Sequence, residues 1–248
     1  MHAENQVLLA VALVLIGIAI GTVMESDLSG GVMSDFLTVS ATLFSAFLGA
    51  WTAFELQNRK AERDVKNAQI AALNRALFSL TLQINKLRNV ENQVVQPIKH
   101  TEMAFVTMQA IHALEKDEIP LDLNTISFIL ETPSRNLLAG VALAHASFRS
   151  AIDAINFRSQ IHISSFQPLL EKAGIRSEQV FTIEDPEKFL GSKLYITLRR
   201  ATDDLVHSTE AAVKKLEAAS AALSEFGKQT FGPGRIIVNI VSANEPQT

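Results

Sequence analysis

A chain of 248 residues with 22 Lys and Arg against 26 Asp and Glu has a formal charge of −4, so it offers no basic footprint for nucleic acid. It holds no cysteine, which excludes disulfides, thiolate metal sites and a cysteine nucleophile. Apolar residues make up 48% of it and are gathered unevenly, with two uncharged stretches near the N-terminus.

Residues 7–23 read VLLAVALVLIGIAIGTV and residues 36–54 read FLTVSATLFSAFLGAWTAF, neither with an ionisable side chain. At about 1.5 Å per residue such helices reach about 26–28 Å, close to the roughly 30 Å hydrocarbon core of a bilayer. The pattern predicts a two-helix transmembrane hairpin over residues 1–54, with spans at 7–24 and 36–54 and an outside loop at 25–35. A cleaved signal peptide fits the first stretch poorly, because MHAENQ has no Lys or Arg and no A-x-A-like site follows.

Charge sets the orientation. The loop carries Glu25, Asp27 and Asp35 and no Lys or Arg, whereas Arg59, Lys60, Arg63 and Lys66 follow the second span. Basic residues at span ends resist translocation. Both termini are therefore expected in the cytoplasm, as in a bacterial inner-membrane protein, with Trp51 near the cytoplasmic interface. Small residues recur at spacing four: Gly17 and Gly21 in the first span, Ala46 with Ala50 and Gly49 with Ala53 in the second. Such faces let helix backbones approach closely in lipid, within one hairpin or between subunits.

Residues 55–96 contain neither glycine nor proline, so the second span should run on as a long membrane-proximal helix. Residues 55–69 read as a polar helical stalk. Ile70, Leu73, Leu77, Leu80, Ile84, Leu87 and Val94 then fall at alternating three and four spacing, an apolar helical seam. It can pack on the chain's own later helices or form a coiled coil between subunits. Phe78, Leu82 and Val90 widen its apolar surface, while Asn85, Asn89, Asn92 and Gln96 line the opposite face. Pro97 bends or ends the helix.

A second helix is expected over residues 98–113, then the polar turn EKDEIP and a short apolar piece at 121–130. Thr132-Pro133 and Asp185-Pro186 each look like an N-cap followed by proline at the first helical position. The helix after Pro133 carries Leu137, Leu138, Val141, Phe148, Ile152 and Ile155 on one face. The helix after Pro186 breaks near Gly191 and carries Leu194, Leu198, Leu205, Ala212, Leu216, Leu223 and Phe226. Gly232-Pro-Gly234 stops it, and residues 232–248 form a C-terminal tail. The fold expected is all-α, the hairpin followed by a cytoplasmic helical bundle over residues 70–231.

No phosphate loop, nucleophile elbow, dinucleotide fingerprint or metal-binding spacing is present, and the six histidines form no HExxH or i, i+4 pair. His100 with Glu102, and His162 near Asn156 and Arg158, are the polar clusters that stand out. The expectation is a membrane-anchored, non-enzymatic helical interaction or signalling module without catalytic residues, cofactor or metal. Its partners would be the lipid bilayer, a second copy of the chain and a cytoplasmic protein. The alternative is an oligomeric, channel-like membrane effector gated by its cytoplasmic domain.

Overall fold

The computed structural model describes residues 30–175 and 185–236. The first predicted span with Gly17 and Gly21, residues 25–29 of the connector and the tail beyond Ile236 lie outside the described residues. All regular structure among the described residues is helical. Packing divides the chain between Val65 and Lys66 into two units.

Among the described residues the first unit is one helical stretch. Helix α1, Gly30–Val90, begins within the predicted connector rather than at residue 36. After Gly30 and Gly31 the connector holds no glycine or proline, so nothing stops the helix from extending beyond its apolar part. This helix is long and apolar enough to cross a membrane: its most apolar 18-residue window has a mean hydropathy of 1.3 and is 0% buried within the chain. Val39, Leu43, Phe44, Phe47, Leu48, Trp51, Phe54 and Leu56 are all exposed.

The second unit has a core built by three helices. From Ala72 onward α1 turns one face inward, burying Leu73, Leu77, Leu80, Ile84, Leu87 and Val90, with Ile70 and Val94 packed against the same cluster. Helix α3, Asn136–Ile161, supplies Val141, Phe148, Ile152 and Ile155. Helix α6, Ser192–Phe231, supplies Leu205, Ala212, Leu216 and Leu223. The seam thus packs within its own chain, as its spacing of three and four allows. Phe78 and Leu82 stay exposed, as do Asn85, Asn89, Asn92 and Gln96. A smaller cluster gathers Phe105, Val106, Phe166, Leu170, Leu190 and Leu198.

Close approach explains one glycine. A Cβ on Gly227 of α6 would lie 2.4 Å from Leu73 Cδ2 and 3.0 Å from Ile236 Cδ1. Asn74 Nδ2 donates to Arg235 O at 3.0 Å beside this contact, so the end of α6 is tied to α1. Gly191 separates the short helix α5, Pro186–Leu190, from α6; its φ of +73° lies in the left-handed region that favours glycine. Asp185 caps α5 by accepting from Lys188 N at 3.0 Å.

The expected helix over residues 98–113 does not form. After a π-turn, Glu91–Val95, and a run of turns, only α2, Ala104–Thr107, is α-helical. Pro97 cannot donate a backbone hydrogen bond, and Thr101 and Thr107 return their hydroxyls to Ile98 O and Met103 O. Within the apolar piece at 121–130 and one residue beyond it, Leu123–Glu131 forms a 3₁₀ helix. Helix α3 starts three residues after Pro133, although Thr132 Oγ1 does accept from Ser134 N at 3.3 Å. A π-turn, His162–Phe166, links α3 to α4, Gln167–Lys172.

Leu80 has 0% exposure, so Leu80→Ala should destabilise the full chain by about 2–5 kcal/mol. Phe78 is 57% exposed, so Phe78→Ala should change stability by about 0.5 kcal/mol or less. Thermal denaturation of the two variants in one detergent checks the contrast.

Candidate functional site

Between α2 and Pro120 the chain runs without regular structure, so its backbone polar groups have no helical ladder to join. Buried amides and carbonyls left unpaired are costly. Helix α3 meets this need with side chains.

Arg158, with 0% exposure, donates from Nη1 to Gln109 O at 2.8 Å and from Nη2 to Phe105 O at 3.3 Å and to Met108 O. Ser159 Oγ accepts from Ile111 N at 3.1 Å. Asn156 brackets Leu114, accepting from its N at 2.9 Å and donating to its O at 2.8 Å. Further along, Asp153 pairs with Lys116, and Arg149 with Asp117 at 3.5 Å. At the far end Gln83 of α1 donates from one amide nitrogen to Ile119 O at 3.0 Å and to His145 Nδ1 at 2.9 Å. Lys86 of α1 pairs with Glu118. Partners on α3 fall in number as those on the loop rise, so the loop is laid antiparallel along the helix.

Of the predicted cluster, Asn156 and the two Nη atoms of Arg158 serve the chain's own backbone, while Arg158 Nε has no hydrogen-bond partner. No Asp or Glu is buried among the described residues, so Arg158 is balanced by carbonyl dipoles rather than by a carboxylate. Burial lowers Arg158 to about 10, which leaves it charged at neutral pH. His162 is buried with its ring edge-on to Phe166 at 5.0 Å between centroids. Its Nδ1 has no hydrogen-bond partner. Burial first, and the charge of Arg158 second, lower His162 to about 4. His100 and Glu102 lie exposed in the turns before α2 and form no site with the cluster.

The remaining predicted residues sit on α1. Ala46, Gly49, Ala50 and Ala53 are exposed, and a Cβ on Gly49 would meet nothing within 4 Å. Arg59, Lys60, Arg63 and Lys66 are exposed, with Arg59 paired to Glu55 at 2.8 Å. An open groove of about 480 Å³ is lined by Asn74, Arg75, Ala76, Phe78 and Ser79 of α1 and by Pro120, Leu121, Asp122 and Thr125. No group of three or more His, Asp or Glu suited to a metal ion occurs among the described residues.

Sequence reasoning did not single out Gln83, His145, Arg149, Asp153 or Ser159. A signal was present: His145, Arg149, Asp153 and Asn156 recur at spacing four, four and three on a helix whose other face is apolar. No protein-family model, curated protein or solved structure matches the chain.

Arg158→Met should leave the carbonyls of Phe105, Met108 and Gln109 unpaired, at about 1–3 kcal/mol for each group left buried. Amide exchange over residues 104–116 should accelerate, measured by hydrogen–deuterium exchange. His162 should make stability pH-dependent. The unfolded imidazole takes up its proton near 6.5 and the folded one near about 4. Stability is thus intact above 6.5 and falls as pH drops through that window, by at most about 3 kcal/mol. His162→Phe should flatten this slope in pH-dependent denaturation.

Proposed function

We propose that the chain is a membrane-anchored, non-enzymatic interaction or signalling module. A hairpin of two spans, residues 7–24 and 36–54, holds the helical domain at the cytoplasmic face of a bacterial inner membrane, with both termini inside. The observation that carries this reading is the unburied apolar part of α1. Eight large apolar side chains between Val39 and Leu56 are exposed, more contiguous apolar surface than water tolerates on a soluble protein. Lipid is the solvent that matches it. The run of Arg59, Lys60, Arg63 and Lys66 supports a cytoplasmic location for the domain on its C-terminal side.

The second reading, a channel-like effector, needs polar groups free to line a path. Thr42 Oγ1 instead donates to Thr38 O at 2.7 Å, and Thr52 Oγ1 to Leu48 O at 2.9 Å and Gly49 O at 3.0 Å. Hydroxyls bonded back to their own helix favour an anchor. Self-association is part of the proposal. The exposed Ala46, Gly49, Ala50 and Ala53 suit the interface, and the seam is already occupied within one chain. A non-enzymatic role is supported by Arg158, whose Nη1 and Nη2 donate to backbone carbonyls.

Replacing residues 1–54 by an unrelated two-span hairpin of the same orientation should preserve membrane insertion, partner recruitment and phenotype. Loss of activity with normal insertion and an intact soluble domain would reject the anchor in favour of the effector.

A further inference from the structure

Three polar groups meet where the loop of residues 115–122 closes on the domain. Gln83 is fully buried at 0% exposure. Its Nε2 lies 3.0 Å from Ile119 O and 2.9 Å from His145 Nδ1, and its Oε1 has no partner. The carbonyl of Ile119 can only accept, so the atom facing it must be the amide nitrogen. That nitrogen also faces His145, so Nδ1 must be the unprotonated acceptor and the imidazole must be neutral. One –NH₂ group thus serves two acceptors, and it can do so only while His145 lacks its second proton.

We propose that Gln83 and His145 form a pH-sensitive latch that holds residues 115–122 closed when His145 is neutral and releases them when it is protonated. A protonated Nδ1 would point an N–H at the amide N–H. Relief requires Gln83 to present Oε1 to the imidazolium, which turns oxygen towards Ile119 O or withdraws the amide from it. Either way the carbonyl of Ile119 loses its buried donor. Next in the chain, Pro120 and Leu121 form one wall of the groove that Phe78 lines, so release removes that wall.

The charged surroundings suit the switch. Arg149, one turn along α3, opposes protonation and Asp117 on the loop favours it. These two are paired with each other at 3.5 Å. Lys86 on α1 is paired with Glu118, Lys116 with Asp153, and Lys215 of α6 donates to Ser147 Oγ at 3.2 Å. Burial of the ring is the largest influence and holds His145 below 6.5 in the closed form. The released form, with a solvated imidazole, takes up a proton first, so falling pH drives release. Acid also weakens nothing else in the latch, since Gln83 and Ile119 do not titrate.

Hydrogen–deuterium exchange of the full chain in detergent, between about pH 7.5 and about pH 5.5, tests the latch; the window stays above the ordinary carboxylate range. After correction for the intrinsic pH dependence of exchange and for the global loss of stability that core peptides of α6 report, residues 115–122 should exchange several-fold faster at the lower pH. His145→Gln keeps an acceptor that does not titrate, so its loop should stay slow at both values. His145→Arg carries a fixed charge, so its loop should be fast at both. A wild-type loop whose corrected exchange is flat with pH would overturn the proposal. So would a His145→Gln variant with the wild-type pH dependence, or acceleration shared equally by the α6 core.

Discussion

The backbone of residues 108–119 runs without regular structure, and the second unit depends on how its polar groups are paired. A segment packed on a helix must satisfy its amides and carbonyls or forfeit about 1–3 kcal/mol at each buried gap. Arg158 carries five N–H donors in a rigid plane, which lets one side chain reach the carbonyls of residues 105, 108 and 109. A lysine has fewer donors and no fixed plane. Desolvating the guanidinium is tolerable because three carbonyl dipoles converge on it. Ser159 and Asn156 continue the same service along α3, and exposed ion pairs finish it. Those outer pairs are individually weak in water, so the hold on the loop lessens from Arg158 towards Ile119.

Helix α1 meets two different environments along its length. Among the described residues, the apolar side chains near Leu43 and Phe54 are exposed, whereas Leu73, Leu80 and Leu87 are fully buried in the domain core. Between these lie charged residues exposed on all sides, from Arg59 to Lys66. Hydropathy alone does not separate the two apolar parts. The distinction is the pattern: apolar all round in the first, and a one-sided seam at three and four spacing in the second.

That pattern explains what was legible in the sequence. The seam, the apolar faces of α3 and α6, the cap at Asp185 and the break at Gly191 all follow from periodicity and local backbone chemistry, which are written over a few adjacent residues. The segment 98–113 was not legible, because its apolar spacing suits a helix and what overrides it is distant in sequence: Arg158, Ser159 and Asn156 lie more than 40 positions from the groups they bond. The same distance hid Gln83, whose two acceptors come from the loop and from α3. Asn156, Arg158 and His162 are legible in the sequence as a candidate polar site. Their role reads differently once the carbonyls they serve are in view.

The proposed anchor role requires α1 to lie in lipid near Leu43 and in water near Asn89. The chain has no cysteine, so single nitroxide labels at Leu43→Cys or Asn89→Cys are unambiguous. Collision rates with oxygen and with a water-soluble nickel complex, measured for the full chain in bilayers, separate the two solvents. The label at residue 43 should favour oxygen strongly, and that at residue 89 the nickel complex. A label at residue 43 as open to the nickel complex as that at residue 89 would contradict the membrane assignment.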